Sequence, residues 1–236
     1  MTRFIKSVPG ALIAANVAML IILKAVCAAR GIGAASWLVL APEFWLRPWT
    51  LLTYMVTDSD AVNTLFSCLW LWLFSRLALE IGSERQLLVS YAVGGLAGAL
   101  FFFVGASVGL CPYPLMGASA AILGVIVFAA ARVPYMRVNL MFFGPVSFKW
   151  IGIIAAALGL LAFAGSNIGG GLAHLGGSLG GWAYAMVLRR RSAFTRPAKR
   201  ARQKTLDELL DKVRRSGYAS LTADERHQLL EYSKKL

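Results

Sequence analysis

From Gln86 through Ala131 the sequence contains no Asp, Glu, Lys or Arg. A run of that length without a charge has no face suited to water. It calls for a lipid surround and is long enough for two bilayer crossings, each of which takes about 20 mostly apolar residues. The rest of the chain agrees. Of the 236 residues, 58% are hydrophobic and 15% charged, against roughly 45–50% and about 25% in soluble domains. Six windows have the length and apolarity of a membrane helix, at roughly 8–27, 62–81, 86–108, 116–133, 149–167 and 169–188. The expected fold class is therefore all-α, a polytopic bundle of six transmembrane helices. Arg3 and Lys6 precede the first window, as they would in a signal peptide. Lys24 interrupts the apolar run, however, and Arg30 follows Ala28–Ala29 where cleavage would be sought, so a retained helix is expected.

Charge placement sets the orientation. Residues 1–188 hold ten Lys/Arg and five Asp/Glu, and the last 48 residues hold fourteen and six. Basic residues gather in short cytoplasmic loops. With the N-terminus inside, the inner segments carry Arg3 and Lys6, then Arg76 and Arg85, then Arg132, Arg137 and Lys149, then the tail. Both termini are thus expected in the cytoplasm. The net charge of +13 is concentrated in the tail, where it fits contact with anionic lipid rather than nucleic acid. The first outer segment, 28–61, holds Trp37, Phe44, Trp45 and Trp49. It is expected to lie in the outer leaflet as an interfacial structure.

Three domains are read from these shifts: 1–191 as the membrane domain, 192–204 as a basic linker, and 205–236 as a cytoplasmic helical hairpin. Thr205 with Glu208, and Thr222 with Glu225, fit capping boxes, and Gly217 is placed to end the first hairpin helix. Leu206, Leu209, Leu210 and Val213 would face Leu221, Leu229 and Leu230. The cysteines Cys27, Cys68 and Cys111 are odd in number and lie in or beside apolar runs, which gives no disulfide framework. A single membrane histidine without an acidic cluster gives no metal or organic cofactor site.

An ionisable or polar side chain within a membrane helix is costly, and so a functional suspect. His174 is alone in the sixth window, among the glycines of Gly169-Gly170-Gly171-Leu172-Ala173-His174-Leu175-Gly176-Gly177-Ser178-Leu179-Gly180-Gly181. The fourth window opens on Gly117-Ala118-Ser119-Ala120. Ser119 and His174 each lie about one turn into their helices from the outer side, at the matched depth a hydroxyl nucleophile and an imidazole base need. Gly177 and Gly181 form a G-x-x-x-G face, for which the fourth helix is the expected partner.

These residues resemble the rhomboid family of intramembrane serine proteases. The resemblance covers about residues 40–190 and rests on Arg47-Pro48-Trp49-Thr50, Gly117-Ala118-Ser119, Phe148-Lys149-Trp150 and Ala173-His174-x-x-Gly177-x-x-x-Gly181. The tail segment Gly217-Tyr218-Ala219-Ser220-Leu221-Thr222 is similar to an extension found on some bacterial rhomboids. The resemblance implies a catalytic dyad in which Ser119 attacks and His174 exchanges the proton. With Asp58 and Asp60 assigned to the outer loop, packing is expected to orient the imidazole. The family's oxyanion histidine and asparagine fall on Asn63 and Ser67, an i, i+4 pair of donors on the second helix. Gly117 and the Ser119 N–H complete the expected oxyanion site. Leu123 stands where the family often has an aromatic ring. The implied substrates are transmembrane segments of other proteins in a bacterial inner membrane, while the oligomeric state is left open. The competing reading is an inactive rhomboid-like protein that binds membrane helices. A transporter is disfavoured, since no internal repeat or midplane acid is present.

Overall fold

The computed structural model describes residues 7–31, 36–43, 46–140, 144–161, 167–222, 224–227 and 229. The chain divides into two compact units, Met1–Met186 and Val187–Leu236. The long helices are α1 (Val8–Arg30), α2 (Ala61–Ile81), α3 (Glu84–Ser107), α4 (Ser119–Arg132), α5 (Phe148–Leu160) and α6 (Ile168–Ser216).

Local chemistry sets most of these ends. Ser7 caps α1 by accepting from Gly10 N–H at 3.4 Å, Asp60 caps α2 through Asn63 N–H at 2.8 Å, and Ser83 caps α3 through Gln86 N–H at 3.3 Å. Asn167 starts α6 by accepting from Gly170 N–H at 2.8 Å. Among the described residues, α1, α2 and α3 are long and apolar enough to cross a membrane by length and composition. The helices α4 and α5 are shorter, at 14 and 13 residues. The fourth window thus loses its first three residues, because Gly117 sits at φ +109° and takes the backbone out of helical space. The expected turn at Ser166–Asn167 falls partly on residues outside those described.

A short antiparallel hairpin, β1 (Arg137–Leu140) with β2 (Gly144–Ser147), joins α4 to α5, in the register Arg137↔Ser147, Val138↔Val146. The sequence reading treats this stretch as a plain inner loop. Four-residue strands give too few alternations to be legible. Even so, the fold is an all-α polytopic membrane bundle with one small hairpin.

Within the first unit, α4 is the central element. Ten of its residues are buried, among them Val125, Phe128 and Ala129. It meets α3 at backbone contact, since a Cβ placed on Gly124 would lie 2.6 Å from Gly94 Cα. On its other side, a Cβ on Gly177 would strike the Ala120 carbonyl and one on Gly181 the Gly124 carbonyl. The expected pairing of the G-x-x-x-G face with the fourth helix is therefore present. Lipid provides no hydrophobic drive between helices, so such close approach is what supplies the packing attraction.

The segment before α2 is tied inward by hydrogen bonds that satisfy its irregular backbone. Tyr91 Oη donates to Met55 O at 2.7 Å, Tyr54 Oη to Gly95 O at 2.5 Å, and Thr53 Oγ1 to Leu38 O at 2.9 Å. Leu40 and Leu115 exchange backbone bonds of 2.9 and 2.7 Å. Trp37 and Trp49 stack with ring centroids 6.0 Å apart and are both exposed, while Arg47 lies 4.4 Å over the Trp37 ring. Phe44 and Trp45 lie outside the described residues.

In the second unit, the segment expected as a linker over 192–204 is helical. Its Ala, Arg, Lys and Gln residues are strong helix formers, so α6 continues through it. Thr205 therefore stands inside a helix, with no N-terminus to cap. Gly217, at φ +77°, ends that helix, and its N–H donates to Val213 O at 2.9 Å. The second capping box is formed: Thr222 N–H donates to Glu225 Oε2 at 2.8 Å, and Glu225 N–H to Thr222 Oγ1 at 3.3 Å. Lys212 reaches Glu225 at 2.8 Å. Leu209 and Leu221 are buried, but Leu210 is half exposed and does not join them. The side chains of Leu206 and Leu230 are outside those described.

Candidate active site

Ser119 is the first residue of α4, not a residue one turn in, and so its own N–H has no intrahelical partner. Ala118 supplies no side-chain cap in its place. His174 lies six residues into α6, about 9 Å along the helix. Its Nε2 is 2.8 Å from Ser119 Oγ, and its Nδ1 is 3.0 Å from the carbonyl oxygen of Gly159 on α5. A carbonyl only accepts, so Nδ1 carries the ring proton and donates it. Nε2 is then left with a lone pair that accepts from the Ser119 hydroxyl. The sequence reading leaves the imidazole to be oriented by packing, whereas here a backbone carbonyl orients it. No residue type encodes that contact, which is why spacing does not reveal it. Both side chains are half-buried.

Packing brings the pair together. Gly177, three residues after His174, meets the backbone of Ala120, the residue after Ser119. On α5, Leu123 Cδ1 and His174 Cβ would lie 2.9 and 3.1 Å from a Cβ on Gly159. Leu123 thus fills space beside the imidazole without stacking a ring on it.

Gly117 is buried, and its N–H donates to Tyr54 O at 3.0 Å. The atoms nearest a Cβ built there would be Asp58 Oδ2 at 3.6 Å, Asn63 Nδ2 at 3.9 Å and Ser119 Oγ at 4.0 Å. Asn63 is exposed, and its Nδ2 donates to Asp58 Oδ2. Asp60, not Asn63, caps α2. Ser67 is buried one turn further along α2 and is not among the three atoms nearest that point. Asp58, 5% exposed, is the residue that sequence reasoning leaves in the loop. Its place five residues ahead of Asn63, across a helix cap, is a signal only once the loop is known to fold back.

A cavity of about 280 Å³, lined by Phe102, Tyr113, Leu115, Met116, Asn167 and Gly170 among others, adjoins the segment that leads into Ser119 and the first turn of α6. Among the described residues no cluster of His, Cys, Asp and Glu is arranged to hold a metal ion.

Comparison with known families gives two matches. The Rhomboid domain model matches residues 46–191, and a family of unknown function (DUF6576) matches residues 195–235. No curated protein matches the chain. The first match covers more than half of the sequence and includes both Ser119 and His174, and on it this membrane protein belongs to the rhomboid family.

Proposed function

We propose that the protein is an intramembrane serine endopeptidase with a Ser119–His174 dyad. The observation that carries this reading is the 2.8 Å contact between Ser119 Oγ and His174 Nε2, with Nδ1 anchored on Gly159 O. In the reaction, Ser119 Oγ attacks the scissile carbonyl as Nε2 takes its proton. The proton then passes from Nε2 to the leaving amine, and the acyl-enzyme forms. Water, deprotonated by the same nitrogen, releases the second product. Negative charge on the tetrahedral oxygen meets the Ser119 N–H and the Asn63 amide, with Ser67 on the same helix and Gly117 in the adjoining turn. Each such donor is worth about 10²–10³ in rate.

The substrates are transmembrane segments that unwind near the outer surface, with small residues at the cut. The cavity beside Tyr113 and Asn167 gives room for a side chain or for water. Basic residues in the inner segments support cytoplasmic termini, and the short, compact loops support a bacterial inner membrane. The interfacial tryptophans support a first outer segment lying against lipid.

The test is labelling of the purified protein by a fluorophosphonate. Wild type is expected to label at Ser119, and Ser119→Ala and His174→Ala are expected to abolish labelling and cleavage. Cleavage that persists in Ser119→Ala sinks the reading. The competing reading, an inactive helix-binding protein, draws on the carboxylate of Asp58 beside the oxyanion site. It predicts substrate binding without labelling in the wild type.

A further inference from the structure

We propose that Asp58 is a positioning residue that orients Asn63 as an oxyanion donor; this rests on the protease reading above. Asn63 lies on an exposed face at the start of α2. Its amide presents either a donor or an acceptor to a given point, since the two ends have nearly the same shape. An amide that turns its oxygen toward a developing oxyanion repels it. The end facing the reaction must therefore be selected.

Asp58 makes that selection. A carboxylate is an acceptor only, so it can face only the NH2 end of Asn63. Each of its oxygens is committed separately: Oδ1 accepts from Asp60 N–H at 3.0 Å, and Oδ2 accepts from Asn63 Nδ2. The group is 5% exposed, so water competes weakly for it. One Asn63 hydrogen is thereby taken, and the other is left for a partner. The free hydrogen has a place to go, because Asn63 Nδ2 and Ser119 Oγ lie 3.9 and 4.0 Å from the Cβ that Gly117 lacks. A side chain on Gly117 would occupy the space that the oxyanion needs.

The negative charge of Asp58 also opposes an oxyanion nearby, and the two effects have opposite signs. Removing the charge while weakening the anchor slows the reaction if orientation dominates, and speeds it if repulsion dominates. Orientation is the proposal. In Asp58→Asn a single oxygen must serve both Asp60 N–H and Asn63 Nδ2–H, and so one of the two donors is released.

The experiment is a double-mutant cycle on full-length protein in detergent, read by fluorophosphonate labelling rate and by kcat and KM on a transmembrane substrate. Asp58→Asn is expected to lower kcat and labelling by about tenfold, part of the 10²–10³ that a whole donor is worth, with KM unchanged. In an Asn63→Ala background it is expected to cost nothing further. Asp58→Ser keeps an acceptor for Asp60 N–H but does not reach Asn63, and it is expected to show the same loss. An equal loss with and without Asn63, or a faster Asp58→Asn enzyme, overturns the proposal. If neither variant folds, the wild-type side-chain amide decides by NMR. One Asn63 proton shifted downfield by the carboxylate is expected, and two ordinary amide shifts overturn the idea. Failure of the wild type to label at all refutes the protease reading itself, a separate outcome.

Discussion

Replacing Gly177 with alanine tests the geometry on which the dyad depends. The new Cβ would strike the carbonyl oxygen and carbon of Ala120, backbone atoms that cannot rotate away. An ordinary contact there lies at 3.4–4 Å, so α6 must retreat from α4 by about 1 Å, given how little free space close-packed interiors hold. A retreat of that size stretches the 2.8 Å Ser119–His174 contact to about 3.8 Å, outside hydrogen-bond range. Misplacement by about 1 Å costs roughly 10² in rate. The stability cost is smaller. Overpacking costs about 1–3 kcal/mol, and alanine returns up to about 1 kcal/mol of helix propensity over glycine. The matched control is Gly180→Ala, one turn on, whose Cβ would press instead on Ala97 Cβ at 2.7 Å and Val93 O at 2.9 Å, both on α3. Thermal unfolding in detergent and fluorophosphonate labelling are measured on both variants. Gly177→Ala is expected to lose about a hundredfold in labelling, and Gly180→Ala far less for a similar change in unfolding temperature. Equal labelling losses at equal stability would refute the claim that the α4–α6 approach sets the dyad.

Tyr91→Phe removes the donor to Met55 O and leaves a buried carbonyl unpaired, at about 1–3 kcal/mol. A lower unfolding midpoint is expected, together with slower labelling, since the adjacent Tyr54 carbonyl holds Gly117 N–H; an unchanged midpoint contradicts it. In the second unit, hydrogen bonds from the Lys212 ammonium and then the Thr222 N–H hold the Glu225 carboxyl below its usual range. A carboxyl depressed on folding contributes fully above its unfolded value and loses that contribution as pH falls through the folded one. The NMR amide shifts of Thr222 and Glu225 are accordingly expected to hold from pH 7 to about 4.5, near the unfolded carboxylate range, and to move below it. Glu225→Gln should move them at pH 7, and shifts indifferent to both changes count against the capping box.

What could be read from the sequence follows the range of each interaction. Helix positions were legible from apolar length alone, whereas the caps Ser7, Asp60 and Ser83 were not singled out, because a lone Ser or Asp in a loop is common. The α6 glycines were legible as a face, and the fourth window as its partner. The exact start of α4 was not, because the positive φ of Gly117 outweighs an apolar run that continues straight through it. The β hairpin offered too few residues to show a period. At the site, Ser119 and His174 could be named because a hydroxyl and an imidazole are residue types. Their orienting group, a carbonyl of α5, carries no side-chain signature. Asp58 lies in the loop to which the sequence assigns it, but its contact with Asn63 was not legible, because a loop that folds back beside a helix start is decided by tertiary hydrogen bonds, here from Tyr91 to Met55 O and from Gly117 to Tyr54 O.

The role of that α5 carbonyl is open to a graded test through Gly159 itself. An alanine there places its Cβ 2.9 Å from Leu123 Cδ1 and 3.1 Å from His174 Cβ. The leucine end can swing aside, whereas the His174 Cβ belongs to a helix and must yield by a few tenths of an ångström. The perturbation is therefore several times smaller than that of Gly177→Ala, and a rate loss of a few fold is expected if about 1 Å costs roughly 10². Leu123→Ala in the same chain clears space on one side and should recover part of the loss. The carbonyl stays in place in both variants, so the tautomer is retained and the pH dependence of labelling should keep its shape. A changed shape would mean that the substitution has disturbed the contact between Nδ1 and the Gly159 carbonyl. A loss as large as that of Gly177→Ala would mean that reach between the two side chains is not what limits the reaction.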